Sequence, residues 1–164
     1  MGAPQVRYDD GTFRITFCDN VLAATWFDAP NEEQMREFRR TSVAMQKDHP
    51  AGTALMNLVC DGTPRFETGV RDEAARLMRE RIHKLGSAHV VLVDGFHGTA
   101  TRAFLTTAIL IGRPRAPARV FADLAPAVTQ LHGWLEKGSV RWSLAALAAF
   151  AQSAIERTPL RRPA

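Results

Sequence analysis

Polar and apolar residues alternate over Thr12-Phe13-Arg14-Ile15-Thr16-Phe17, which puts Phe13, Ile15 and Phe17 on one face of a strand. Asp19-Asn20 marks a turn. Val21-Leu22-Ala23-Ala24-Thr25-Trp26-Phe27 supplies a second strand, so the chain opens with a hairpin. The period then changes. Asn31 suits a helix N-cap, and Glu32 and Glu33 fall in the first turn, where the helix dipole favours acids. Met35, Phe38, Ser42 and Met45 form the inner face of this helix, and Pro50 and Gly52 end it.

The apolar run Thr53-Ala54-Leu55-Met56-Asn57-Leu58-Val59 reads as a buried strand. A loop over 60–68 leads to a helix starting at Gly69, with Thr68 as its cap and Val70, Ala74, Leu77, Met78, Ile82 and Leu85 as apolar positions. A second apolar run, His89-Val90-Val91-Leu92-Val93, closes a strand–helix–strand crossover, which calls for a parallel sheet.

Residues 95–99 read as a loop, with Thr99 capping a helix over 100–111. That helix is apolar nearly all round, carries Arg102 as its single charge, and is expected to be heavily buried. A short strand over 118–122 and a helix over 125–136 follow. Asp123 is the cap of that helix, Pro126 lies near its start, and Val128, Leu131 and Leu135 face inward. A last helix spans 140–157, with Val140, Leu144, Leu147, Ala151 and Ala154 in helical spacing and Trp142 and Phe150 widening the band. Its apolar band suits packing across an edge or face of this same domain; the alternative is self-association, a homodimer through Trp142, Leu144, Leu147 and Phe150. The predicted architecture is α/β: a mixed sheet of about five strands with helices packed on it, plus an extra C-terminal helix. Residues 1–138 form the domain, and 139–164 form the apolar helix and a tail packed on the domain or on a partner.

Composition narrows the function classes. The chain has 164 residues, enough for one domain with a real core, and its 46% hydrophobic and 23% charged content is ordinary for a globular protein. The net charge of +4 comes from dispersed basic residues with no stripe, which argues against nucleic-acid binding. Cys18 and Cys60 are too few for a disulfide scaffold and read as small packing residues. The N-terminus lacks the apolar core of a secretory signal, and Val6 stands where N-myristoylation wants Ser or Thr. No stretch is long enough to span a membrane. A cytoplasmic location is the resulting expectation.

Several local words carry a family resemblance. Trp26-Phe27-Asp28-Ala29-Pro30-Asn31 is similar to the helix entry G-x-x-D-A-x-N, with Asp28, Ala29 and Asn31 matching. Phe66-Glu67-Thr68-Gly69-Val70 is similar to a D-S-S-G-[LV] loop, aligned on Gly69. In order and spacing these resemble the STAS fold of the anti-sigma factor antagonists and its SpoIIAA-like branch, over residues 7–136. The resemblance implies a SpoIIAA-like sheet and a role in protein–protein regulation. It also implies a phosphoacceptor serine at the start of a helix, where backbone amides and the dipole suit a phosphate. Here Glu67 holds that position, Phe66 replaces the aspartate, and only Thr68 keeps a hydroxyl. A fixed charge cannot be switched, so a phosphorylation cycle is not expected at position 67, and Thr68 and Thr63 are the remaining candidates. The long loop before Gly69 resembles that of lipid-binding relatives in the same branch.

The expected interaction surface is therefore Phe66, Glu67, Thr68 and Gly69, with Asp94, His97 and Thr99 beside it, because both loops follow parallel strands. Asp94, His97 and nearby hydroxyls would do acid–base chemistry only if they faced one another in a cleft. The histidines at 49, 83, 89, 97 and 132 show no metal-ligand spacing, and no glycine-rich phosphate loop is present. No cofactor or metal is expected. The leading expectation is a non-enzymatic regulatory or scaffold module with a protein partner. The alternative is a small-molecule or lipid-binding protein in which the helix over 100–111 lines a pocket with Phe96 and Phe104.

Overall fold

The computed structural model describes residues 2–62, 67–80, 84–138 and 140–157. Thr63, Phe66, Ile82, His83 and the tail 158–164 lie outside these, as does the side chain of Met78. The elements are β1 (Gln5–Asp9), β2 (Phe13–Cys18), β3 (Val21–Trp26), α1 (Glu32–Asp48), β4 (Thr53–Val59), α2 (Thr68–Arg79), β5 (Lys84–Val91), α3 (Gly95–Gly112), β6 (Ala118–Phe121), α4 (Leu124–Leu135) and α5 (Leu144–Ile155).

The sheet has six strands in the order β1-β2-β3-β4-β5-β6. β1, β2 and β3 are antiparallel, and β3 to β6 are parallel. The expected mixed sheet and α/β class are therefore present, with one strand more than anticipated. β1 escaped the pattern because it is an edge strand: Gln5, Val6 and Arg7 are all exposed, and its pairing with β2 slips between Val6 and Tyr8. With three consecutive residues solvated, the strand has no buried face to impose an alternation.

Two cores flank the sheet. On one face, Phe13, Ile15, Leu22, Ala24, Trp26 and Leu55 meet Met35, Phe38 and Met45 of α1 and Val70 of α2. Phe13 and Trp26 stack at 3.9 Å between ring centroids, and Phe38 packs edge-on against both. Asn31 caps α1 as expected, in a reciprocal capping box with Gln34. Helices α1 and α2 are joined by the buried Glu73, which accepts from Arg39 Nε at 2.9 Å and from Arg76 at 2.6 Å. The Arg39 hydrogen bond holds the Glu73 carboxyl below the usual glutamate range, against burial, which works the other way.

On the other face, Ala23, Met56, Leu58 and Val90 meet Leu131, Trp134 and Leu135 of α4 and Leu147, Phe150 and Ala151 of α5. Gly86 in β5 lets the Trp134 ring lie directly on the strand, since a Cβ there would enter the ring.

Several element ends depart from expectation, among them β5, which stops at Val91, and α4, which starts at Leu124 with no capping bond from Asp123. α2 ends at Arg79, so Leu85 belongs to β5, which begins at Lys84. Glu67, not Thr68, occupies the N-cap of α2, and its side chain makes no capping bond. α3 begins at Gly95, so 95–99 form its first turn, and Thr99 donates back to the Gly95 carbonyl instead of capping. α5 begins at Leu144, with Ser143 as a capping side chain.

The two charge-poor helices exchange roles. α5 is built into the domain: Leu147 and Phe150 are 0% and 3% exposed, Trp142 just before the helix is buried, and only Leu144 of the proposed oligomer band is on the surface. Trp142 Nε1 donates to the buried Asn20 at 3.1 Å, and the Trp142 carbonyl pairs with His132 at 2.8 Å. Arg14 donates to the Glu156 carbonyl at 2.7 Å. Three of the four residues of the alternative self-association band thus belong to this domain's own core, so the helix packs on the domain itself. α3, expected to be heavily buried, is largely exposed: among its residues only Gly98 and Thr101 are fully buried.

Candidate functional site

Parallel register brings the loops after β3, β4 and β5 to one end of the sheet. Trp26 pairs with Val59, and Val59 with Val91. The Cys60 amide donates to the Trp26 carbonyl and the Leu92 amide to the Val59 carbonyl, both at 2.8 Å. Asp28, Asp61 and Asp94 follow these strand ends within a few residues, and all three are exposed. Asp28 and Asp61 each accept from the next backbone amide, Ala29 at 2.7 Å and Gly62 at 2.8 Å. Gly62, at φ +92°, sits so close to the Asp28–Ala29 backbone that a side chain could not fit. Arg157 from beyond α5 reaches Asp61 at 3.7 Å and lies over the Phe27 ring at 5.1 Å.

Glu67, Thr68 and Gly69 begin α2 at this end. Glu67 and Thr68 are exposed. A side chain at 69 would run into the Glu32 carboxylate, so the first turns of α1 and α2 are close neighbours. Glu32 is also paired with Arg36 at 2.6 Å. Asp94, His97 and Thr99 lie at the start of α3, exposed, after the end of β5 as Glu67 follows the end of β4. The two groups expected to form one surface therefore share one sheet end. Among the described residues, no hydrogen bond or ion pair joins Asp94 to His97, whose ring instead packs edge-on against Phe96 at 6.1 Å. No group of three potential metal ligands occurs among the described residues.

Gly95 and Gly98 explain why α3 starts so early. Gly95 turns the chain at φ +68°, and Gly98 approaches the Val93 carbonyl more closely than any residue with a Cβ could. The one charged side chain of α3, Arg102, points inward and donates to the Val91 and Val93 carbonyls at 3.3 and 3.4 Å. The outer face is left without charge, and Phe96, Leu110 and Ile111 are 83%, 70% and 77% exposed.

Polar residues inside the sheet are placed structurally. Trp26 Nε1 donates to Asn57 Oδ1 at 2.7 Å, and Asn57 Nδ2 lies 3.2 Å from His89 Nδ1, linking β3, β4 and β5. Burial, with Lys84 adding to it, pushes the His89 pKa down to about 4, so the ring is neutral and accepts from Asn57. The signal for this relay was Asn57 inside an apolar strand run, since a buried amide needs partners. Burial pushes the Cys60 thiol up to about 11, which leaves it a poor nucleophile.

A cleft of about 160 Å³ lined by His132, Leu135, Glu136, Val140, Arg141 and Trp142 lies at the opposite end of the sheet, near Asn20. A second, smaller one is lined by Met45, Leu55 and Lys84 among others. Neither contains an α3 residue. No helix among the described residues is long and apolar enough to cross a membrane. No family model, curated protein or solved structure matches the chain.

Proposed function

We propose that this protein is a non-enzymatic, cytoplasmic regulatory or scaffold module that works by protein–protein contact, on a STAS-like scaffold without a switchable phosphoacceptor. The observation that supports the reading is that the segments carrying Glu67, Thr68, Gly69, Asp94, His97 and Thr99, with Asp28 and Asp61, all follow the carboxyl ends of the parallel strands. This sheet end carries the exposed carboxylates of Asp28, Glu67 and Asp94, with Asp61 paired to Arg157. It suits a partner that presents basic side chains. The sequential crossover order of β3 to β6 is in keeping with the SpoIIAA-like resemblance. Glu67 and the nearby Glu32 already make the start of α2 acidic, so a phosphate on Thr68 would meet like charge where the family's phosphoserine meets bare amides. That favours a constitutive contact over a phosphorylation switch.

The small-molecule or lipid-binding reading has less behind it. Ligand pockets run to about 300 Å³ or more, and the cleft of about 160 Å³ lies away from α3. Photo-crosslinking tests the proposal. A photoreactive residue at Glu67 should trap a discrete protein in extracts of the source organism, one at Lys47 should not, and Asp94→Lys should abolish the Glu67 product. Equal trapping from both positions would defeat the proposal.

A further inference from the structure

One donor fixes the direction of the whole polar relay between β3 and β5. The Trp26 indole N–H can only donate, so the Asn57 atom 2.7 Å from it is the amide oxygen. The Asn57 amide nitrogen therefore faces His89 Nδ1 at 3.2 Å. That nitrogen carries two hydrogens and no lone pair to offer, so Nδ1 is the acceptor. His89 is thus the neutral tautomer with its hydrogen on Nε2. The relay leaves no choice of tautomer or of amide orientation.

We infer that this relay is a proton-operated switch: a proton on His89 turns the Asn57 amide over, and the turn takes the acceptor away from Trp26. Nε2 already holds a hydrogen, so an incoming proton goes to Nδ1. There it meets the Asn57 amide nitrogen, donor against donor. Half a turn of the amide gives the imidazolium the Oδ1 acceptor, in a charge-assisted hydrogen bond stronger than the neutral one it replaces. The same half turn sets the amide hydrogens against the Trp26 indole N–H. Trp26 is 5% exposed, so this donor loses its acceptor where water does not replace it. The ring must then shift against Phe13 and Phe38, which pack on it. Trp26 closes β3, its carbonyl accepts from the Cys60 amide, and Phe27 and Asp28 follow it. A proton in β5 is thereby felt in the loops after β3 and β4, and the switch does not rest on the partner proposed for the sheet end.

The surroundings leave the proton to this relay. Among the described residues, the charge that bears on His89 is Lys84 of its own strand. β4 meets the ring with the uncharged Asn57, and β6 pairs Val120 with His89. Arg102 of α3 is turned to the Val91 and Val93 carbonyls, and Glu73 of α2 is held by Arg39 and Arg76. α4 packs on the other face of β5, through Trp134 at Gly86. Burial keeps the ring neutral down to about pH 4.

The test is NMR of the nitrogen-labelled full chain. At neutral pH the His89 ring should show the hydrogen on Nε2 and a bare Nδ1. On acidification the Trp26 indole N–H signal should move with the same midpoint as the His89 ring, ahead of global unfolding. Asn57→Asp supplies two acceptor oxygens, one for each donor. It should raise the His89 midpoint by at least about one pH unit and hold the Trp26 signal still through that titration. A hydrogen on Nδ1 at neutral pH would overturn the inference. So would a Trp26 signal that stays fixed through the wild-type His89 titration, or global unfolding before the ring titrates. An Asn57→Asp chain whose Trp26 signal moves as in the wild type would overturn it equally. The first two readings use the wild type alone, so they decide the matter even where the variant does not fold.

Discussion

Helices α3 and α5 are both rich in Ala, Leu and Phe and nearly free of charge, yet one is exposed and the other is core. Their difference lies in polar anchoring. The segment leading to α5 is tied down by Trp142 to Asn20 and by the Trp142 carbonyl to His132, and the far end of α5 by the Glu156 carbonyl to Arg14. Each bond reaches a different element, and together they fix the helix across the sheet. The anchors of α3 are local: Gly98 seats its first turn on the Val93 carbonyl, and Arg102 grips the end of β5. One face is held and the opposite one is left to solvent. Apolar composition therefore identified two sticky helices without saying which one the domain uses for itself.

The largest expected effect lies in α5. Phe150→Ala removes a ring from the core against Trp142 and should cost about 3–5 kcal/mol in urea unfolding. A loss below 1 kcal/mol (roughly a surface-like effect) would mean that α5 is not core. The sheet beneath supplies the next. Unfolded His89 takes up a proton near pH 6.5, but the folded ring does so only near pH 4. The unfolded state thus holds more protons in that window, and stability should fall by up to about 3 kcal/mol as the pH drops through it. His89→Gln should lack this loss, and an identical pH profile in that variant would remove His89 as the cause. Trp142→Phe keeps most of the packing but leaves the buried Asn20 oxygen without its donor. It should cost about 1–3 kcal/mol, separating the polar tether from the apolar contact in equilibrium unfolding.

The buried strands and α1 were legible because their patterns are strong: alternation in β2, an apolar run in β4, a capping residue at Asn31. That the segments after β4 and β5, which carry Glu67 and Asp94, emerge at one end of the sheet was legible too, since both strands are parallel. What was not legible depended on long-range partners. Nothing local shows that Trp142 reaches Asn20, 122 positions earlier in the chain, or that Asn57 sits between Trp26 and His89. The early start of α3 was hidden because Gly95 and Gly98 resemble loop residues until the Val93 carbonyl is seen against Gly98. An exposed apolar face and a buried one have the same composition, so periodicity alone could not assign α3 and α5.

The most direct test of the contrast is a single substitution on the exposed helix, Ile111→Asp, followed by urea unfolding. The account predicts a midpoint corresponding to a change within about 0.5 kcal/mol. A variant that unfolds as readily as Phe150→Ala would contradict it.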